Sequence, residues 1–557
     1  MTSTSSQPTS ADSRATAVGS RGYLAPSADL PGLAGWLLTT DHKRIGLLYL
    51  WSILAFFATG MVLGIGMRLE LLTPGRTMMD ARTYNALFTL HGVIMIFLVI
   101  IPSIIASFGN FFVPLQIGAR DVFFPRLNLL SWYCYIAGAL IAIASLFTKT
   151  GFPDTGWTFY VPYSAQTSTS VTLGLTGAFV IGLSSILTGI NMVTTVHRLR
   201  APGMTWFRMP LFSWSIYATA WVQIIATPIL GITLLLVVFE RVFGLPIFDP
   251  AMGGDPVLFQ HLFWIYSHPA VYIMILPAMG VVSEIIPAFA RRDIFGYKFI
   301  AFSSVAIASI GSLVWGHHMF TSGMSTAARV IFSLLTFIVA IPSAIKVFNW
   351  VSTLYKGSID PQIPLIYMLI FIYLFLIGGL TGVLQGSLGP DRHVHDTYFV
   401  VAHFHYVMFG AAFVGFFGAC HYWFPKMFGR MFHKGWAAAG AALFFVGFNV
   451  LYGTMFVLGL TGMPRRYYDI PPGTAGTFQA GHTIATVGSW IMAAGLVVIL
   501  VNLVHSTRRG RPAPANPWDA RTLEWQTASP PPTENFETIP VVEHGPYHYP
   551  ENLKAGR

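Results

Sequence analysis

Six histidines stand inside or at the ends of long apolar runs: His91, His268, His317, His318, His403 and His405. An ionisable side chain in such a run is costly in a bilayer and usually has a function there. Neutral imidazole is the commonest nitrogen ligand for transition metals, so the six together point to metal or haem ligation. Helix geometry sorts them. His403 and His405, in Ala402-His-Phe-His-Tyr406, are separated by about 200° around a helix. Their rings leave on nearly opposite faces, so they serve two sites, and two planar cofactors flanking the helix fit. His91, in Phe88-Thr-Leu-His-Gly92, can give the second axial bond to one of those haems, with Gly92 allowing close approach. One haem is then bis-histidine and six-coordinate, suited to electron transfer. The other keeps one protein ligand and an open face. His268, His317 and His318 form a third group, and three imidazoles with an open position suit copper or zinc. Adjacent His317 and His318 cannot share a face of a regular helix, so that step is expected at a helix end or distortion beside Gly316. Tyr272 follows His268 at i+4 on the same face, where a phenol can donate a proton and an electron.

The elements that carry these residues must be membrane helices. Of 557 residues, 54% are hydrophobic and 10% charged, with a mean hydropathy of +0.62. An ordinary soluble domain is about 25% charged. About twelve segments are long enough to span, near 45–67, 84–116, 128–147, 171–197, 212–243, 257–288, 296–320, 330–352, 363–383, 396–422, 435–460 and 479–507. The expected class is an all-α integral membrane bundle, residues 41–507, between an N-terminal tail (1–40) and a C-terminal tail (508–557). Met1 to about Pro31 reads as a flexible tail without the apolar core of a signal peptide. Basic residues cluster at Asp41-His-Lys-Arg44, His197 to Arg200, Arg291-Arg292, Lys356, Lys426 to Lys434 and Arg508 to Arg511. By the positive-inside rule those loops and both termini are cytoplasmic. The net charge of +10 reflects this loop bias rather than nucleic-acid binding. Cys134 and Cys420 sit apart in apolar runs, which excludes a disulfide framework or thiolate cluster.

Four motifs carry a family resemblance: Trp264-Ile-Tyr-Ser-His-Pro-Ala-Val-Tyr272, Trp315-Gly-His-His318, His395-Asp-Thr-Tyr-Phe-Val-Val-Ala-His-Phe-His-Tyr406 and Gly462-Met-Pro-Arg-Arg-Tyr467. They resemble subunit I of the haem–copper oxidase superfamily, from about Asp41 to Pro532. The resemblance implies His91 and His405 as axial ligands of a low-spin haem and His403 as ligand of a high-spin haem. It implies His268, His317 and His318 as ligands of copper B, with Tyr272 crosslinked to His268. It implies haem A, its formyl group held by Arg68 and the haem propionates by Arg465 and Arg466. His395 and Asp396 match ligands of a magnesium site shared with subunit II.

The resemblance also implies two proton paths. The D path would run through Asp121, Asn110, Asn128, Ser184, Ser185 and Asn191. The K path would run through Ser283, Ser343 and Lys346 to Tyr272. One departure stands out: many relatives carry glutamate where this chain has Ala270. Tyr266 and Ser267, one turn earlier, resemble the pair used in a subfamily lacking that glutamate, and are expected to close the D path.

The expected activity is reduction of oxygen to water with proton pumping in a bacterial plasma membrane. The expected donor is cytochrome c or a fused cytochrome c domain, with subunits II and III as partners. A quinol oxidase with the same core is the nearest alternative. A nitric oxide reductase fits less well, because that branch lacks the tyrosine and the lysine path. From other classes, a bis-histidine haem electron carrier would not need Trp315-Gly-His-His318, and a twelve-span transporter would not need the histidines.

Overall fold

The computed structural model describes residues 22–25, 32–470 and 473–549. Most of the expected N-terminal tail, and residues 550–557, lie outside the described residues. Among the described residues, twelve helices are long and apolar enough to cross a membrane: α1 (His42–Glu70), α2 (Ala81–Ile117), α3 (Pro125–Phe147), α4 (Val171–Arg198), α5 (Leu211–Phe243), α6 (Pro256–Ala290), α7 (Tyr297–Met319), α8 (Thr326–Leu354), α9 (Ile363–Gly386), α10 (Tyr398–Phe428), α11 (Lys434–Leu460) and α12 (Ala475–Arg509). Beside these helices the described residues contain short helical segments and two isolated β-bridges, and no strand. The twelve-span, all-α expectation holds, with helix ends within a few residues of the apolar runs.

An even number of spans returns the chain to the face it left. The bundle therefore has a terminal end, where α1 starts and α12 finishes, and a far end. Capping fixes where several helices start. Asp41 accepts from the Lys43 and Arg44 amides, Asp80 from Thr83, Asp255 from Val257 and Ser325 from Ala328. α6 is the central helix, its apolar window wholly buried, and it tolerates Pro269, Pro277 and Pro287 inside it. α3 and α4 touch backbone to backbone. A Cβ on Gly138 would lie 2.6 Å from the Gly177 carbonyl, and one on Gly177 would lie 2.7 Å from that of Gly138. By contrast, only 17% of the apolar window of α8 is buried.

Three stretches are π-helical: Ile94–Ile100 and Ser103–Gly109 in α2, and Met408–Phe413 in α10. Such widened turns often mark functional sites. The first lies just past His91 and the third just past His405. After α12 the chain recrosses the terminal end of the bundle and packs there. Trp518 donates to the Tyr422 carbonyl at 2.8 Å, Trp525 to the Tyr422 hydroxyl at 3.0 Å, and Tyr547 to Glu284 at 2.5 Å.

Candidate functional site

All six histidines fall in the far third of the bundle. α2, α6 and α10 start at the far end, and His91, His268, His403 and His405 lie within their first four turns. His317 and His318 close α7 in a 3₁₀ turn, Trp315–Met319. That tighter turn lets two adjacent imidazoles approach His268. Candidate ligand atoms of His268, His317 and His318 all lie within 4.8 Å of one another. His268 Nδ1 and His318 Nε2 are 3.0 Å apart. That separation suits two ligands bonded at about 2.0 Å to one ion.

The supporting hydrogen bonds set the tautomers. The His91 Nδ1–H donates to the Gly60 carbonyl and that of His405 to the Val401 carbonyl, each at 2.8 Å. Both leave Nε2 with a free lone pair. Thr336 Oγ1 donates to the Phe332 carbonyl, so it accepts from His317 Nδ1 at 2.9 Å. Thr381 likewise bonds α9 carbonyls and accepts from His403 Nδ1 at 3.1 Å. Such outer partners fix ring orientation and ligand basicity.

One cavity of about 910 Å³ connects these groups. His91 and His405 line one part of it, and His403 lines it with the three-histidine cluster. His403 and His405 leave α10 on different sides. His403 packs at Gly382 of α9, and His405 stacks on Tyr452 of α11 with ring centroids 4.2 Å apart. Gly64 of α1 faces His91, where a Cβ would come 3.2 Å from the ring. His318 stacks on Trp264 at 3.7 Å, and the Trp264 indole donates to Tyr160 at 2.6 Å. The Tyr272 ring is 4.9 Å from that of His268, and His268 Nε2 is buried without a hydrogen-bond partner.

Donor chemistry suits large anionic and carbonyl-bearing cofactors here. Arg68 is buried. Its Nη2 donates to the His482 carbonyl at 2.8 Å and to Thr486 at 3.2 Å, while Nε and Nη1 have no partner. Such a guanidinium calls for a further acceptor. Arg465 pairs with Asp396, and Arg466 lies over Phe88; both guanidiniums line the cavity at its far end. His395 bonds Asp391 at 2.9 Å. Within this chain His395 and Asp396 thus have protein partners of their own.

The proton-path residues separate into groups. Asp121, Asn110, Asn128 and Asn191 lie toward the terminal end. The amide of Asn191 bonds the Phe124 backbone, and the amide of Asn110 donates to the Ala106 carbonyl. Both polar atoms of Asn128 and Oδ1 of Asn110 are buried with no hydrogen-bond partner among the described residues. Ser184 meets Tyr49, whose hydroxyl also meets Ser131, both at 2.9 Å. Ser185 is half-buried nearby. Tyr266, Ser267 and Ala270 are buried in α6, and the Ser267 hydroxyl has no partner. Lys346 reaches across to α7, donating to Ser304 at 2.7 Å and the Ile300 carbonyl at 3.1 Å. Ser343 and Tyr272 line the main cavity, whereas Ser283 donates to the Met279 carbonyl and accepts from Trp350. Burial pushes the Asp121 carboxyl up to about 7.

Tyr49, Ser131, Ser304, Thr336, Thr381, Asp391 and His482 were not singled out from the sequence. Each is an ordinary polar residue in or beside an apolar run, and only its partner across the bundle reveals its place.

The family model described as Cytochrome C and Quinol oxidase polypeptide I matches residues 44–491. The chain belongs to that haem–copper oxidase family. It is 44% identical over 511 residues to cytochrome c oxidase subunit 1 of Thermostichus vulcanus, covering 91% of each chain. It is 42% identical to the Bacillus subtilis subunit 1, covering 91% of this chain and 81% of that one. Against the subunit 1 of Cereibacter sphaeroides it is 39% identical, over 91% and 95% respectively. A solved structure described as a heme-copper terminal oxidase dimer shares the fold, with a TM-score of 0.73 at 21% identity over 84% of each chain. The chain is thus a multi-pass oxidoreductase subunit of the respiratory chain.

Proposed function

We propose that this chain is the catalytic subunit of a proton-pumping cytochrome c oxidase in a bacterial plasma membrane. The observation that carries the reading is one cavity bringing a three-histidine cluster opposite His403, with His91 and His405 paired beside it. His91 and His405 would hold a low-spin haem, His403 a high-spin haem, and His268, His317 and His318 copper B. Bound there, the two irons and the copper supply electron relay and oxygen binding.

The chain's own residues supply position, dryness and protons. Carbonyls and threonine hydroxyls hold the His91, His405, His317 and His403 imidazoles in the tautomer that leaves Nε2 free. Trp264 stacks flat on His318 and fixes its ring. Tyr272 lies beside His268 and can deliver a proton from its hydroxyl into the oxygen site, and its approach to His268 supports a crosslink between them. Lys346 and Ser343 stand between the terminal end and that hydroxyl. Asp121, at the other path, would take protons up and pass them along the asparagines and Tyr49–Ser184 toward Tyr266 and Ser267. The unpartnered Arg68 nitrogens suit the formyl oxygen of haem A, and Arg465 and Arg466 suit propionates. His395 and Asp396 would complete a magnesium site only with ligands from subunit II.

The basic loops lie at the terminal end, so the positive-inside rule makes both termini cytoplasmic. Relatives at 39–45% identity are named cytochrome c oxidase subunit 1, which favours cytochrome c over quinol as donor. Electrons reach this chain through subunit II, with subunit III as a further partner.

The test is a reduced-minus-oxidised spectrum of the assembled enzyme, before and after carbon monoxide. Two haems, one of which binds carbon monoxide, are expected. Two haems that both refuse it would make the chain an electron carrier, and an absence of haem would overturn the reading.

A further inference from the structure

The C-terminal segment reaches the place where the Asp121 path opens, and it does so through one side chain. Asn535 is 1% exposed and lies at φ +60°, in a turn whose amide bonds the Pro532 carbonyl. Its side chain makes a closed set of contacts. Nδ2 donates to the Ala119 carbonyl, two residues before Asp121, and to His42 Nε2, each at 2.9 Å. Oδ1 accepts from the Lys43 ammonium at 2.9 Å. His42 in turn gives its Nδ1–H to the Asn110 carbonyl at 2.6 Å, so its Nε2 must be the acceptor. The donors and acceptors therefore agree around the whole ring, with His42 neutral. Lys43 has no exposed surface. It also donates to the Thr533 carbonyl at 2.9 Å and pairs with Asp41 at 3.3 Å.

The charged groups acting on Asp121 are Asp41 and Lys43 from the start of α1 and Glu534 from the C-terminal segment. Arg120, Glu534 and Glu537 line a surface hollow of about 360 Å³ beside it. Lys43 is the one cation of the three groups that act directly, and two of its acceptors belong to the C-terminal segment.

We propose that Asn535 is a positioning residue for proton uptake: it ties the C-terminal segment under the Asp121 path and holds the Lys43 ammonium facing the Asp121 carboxyl. This rests on the reading of Asp121 as the mouth of a proton path. The consequence has a definite sign. A held cation lowers the proton affinity of a neighbouring carboxylate. Without the Asn535 oxygen, Lys43 keeps the Thr533 carbonyl and Asp41 as acceptors but is held less firmly, which weakens that effect, so Asp121 keeps its proton to higher pH.

The experiment measures proton uptake by the assembled oxidase as a function of pH. Wild type, Asn535→Ala, Lys43→Met and Asp121→Asn are compared, with haem spectra as the check on folding. The wild-type uptake rate should fall through a midpoint near pH 7, where burial has placed Asp121. Asn535→Ala should move that midpoint upward, and Lys43→Met should reproduce the shift with the amide intact. The double variant should shift no further than Lys43→Met alone, because both act through the same cation. An unmoved midpoint in Asn535→Ala, or one moved there but not in Lys43→Met, overturns the proposal. If Asn535→Ala fails to fold, an unmoved Lys43→Met midpoint overturns it alone. Uptake that persists in Asp121→Asn sinks the underlying reading, and this one with it. Loss of uptake there with unmoved midpoints in the other variants sinks only this one.

Discussion

The histidines could be picked out because six imidazoles in apolar runs are more than core hydrogen bonding accounts for, and because a spacing of two residues has a fixed angular meaning on a helix. Their supports were not legible. Thr336 reads in the sequence as a polar residue in a lipid-length run, yet it accepts from His317 Nδ1 at 2.9 Å. Thr336→Val keeps the shape and removes the acceptor, freeing the His317 ring to turn. Copper retention should fall by about 10–100-fold under competition with a chelator, while haem content stays constant. Metal analysis per haem checks this, and full copper retention would show that the threonine does not support the ligand. Tyr49 was hidden for the same reason. Its joining of Ser131 to Ser184 depends on three helices meeting, and spacing along one chain cannot encode that.

At the scale of elements, twelve spans could be counted from the sequence because a lipid core demands about twenty apolar residues each time. The π-helical turns could not, since backbone hydrogen-bond register has no signature in composition. Packing between spans was also silent. Glycine in an apolar run looks like any small residue until its neighbour is known. Gly177→Val would drive a side chain into the Gly138 carbonyl at the α3–α4 crossing. Overpacking of this kind costs about 1–3 kcal/mol. The thermal midpoint of the assembled enzyme should fall, whereas Gly476→Ala, with nothing within 4 Å of the added carbon, should leave it unchanged or slightly higher. Equal midpoints for the two would mean that the close crossing carries no stability.

For the molecule as a whole, the C-terminal segment departs most from what composition suggests. Its Pro-, Glu- and Arg-rich sequence reads as an extramembranous tail with no sign of a core of its own, yet residues 510–549 cover the terminal end and bury Trp518, Trp525, Tyr547 and Tyr549. Glu524 is fully buried there. It accepts from Gln116 at 3.1 Å and Trp423 at 3.3 Å, with Oε2 unpartnered. Burial raises its carboxyl above the usual carboxylate range. A raised acid binds its proton more tightly folded than unfolded. Its contribution is therefore complete at acid pH and is lost as pH climbs from the ordinary carboxylate range through the folded value. Glu524→Gln carries no such penalty. Its thermal midpoint relative to wild type should rise steadily as pH climbs above the ordinary carboxylate range. A difference that stays flat with pH would show that the buried carboxyl does not titrate with folding.

The widened turn at Met408–Phe413 separates the histidine-bearing start of α10 from its terminal half, which carries Tyr422, Trp423 and Lys426. One residue more or less in a helix turns everything beyond it by about 100°. The bulge thus acts as an angular gauge. It lets His403 and His405 face their two partners while, some five turns on, Trp423 still meets Glu524 and Lys426 the C-terminal carbonyls. Chain length in that stretch is consequently constrained more tightly than residue type: most apolar exchanges there preserve the phase between the two halves, and a single-residue deletion destroys it.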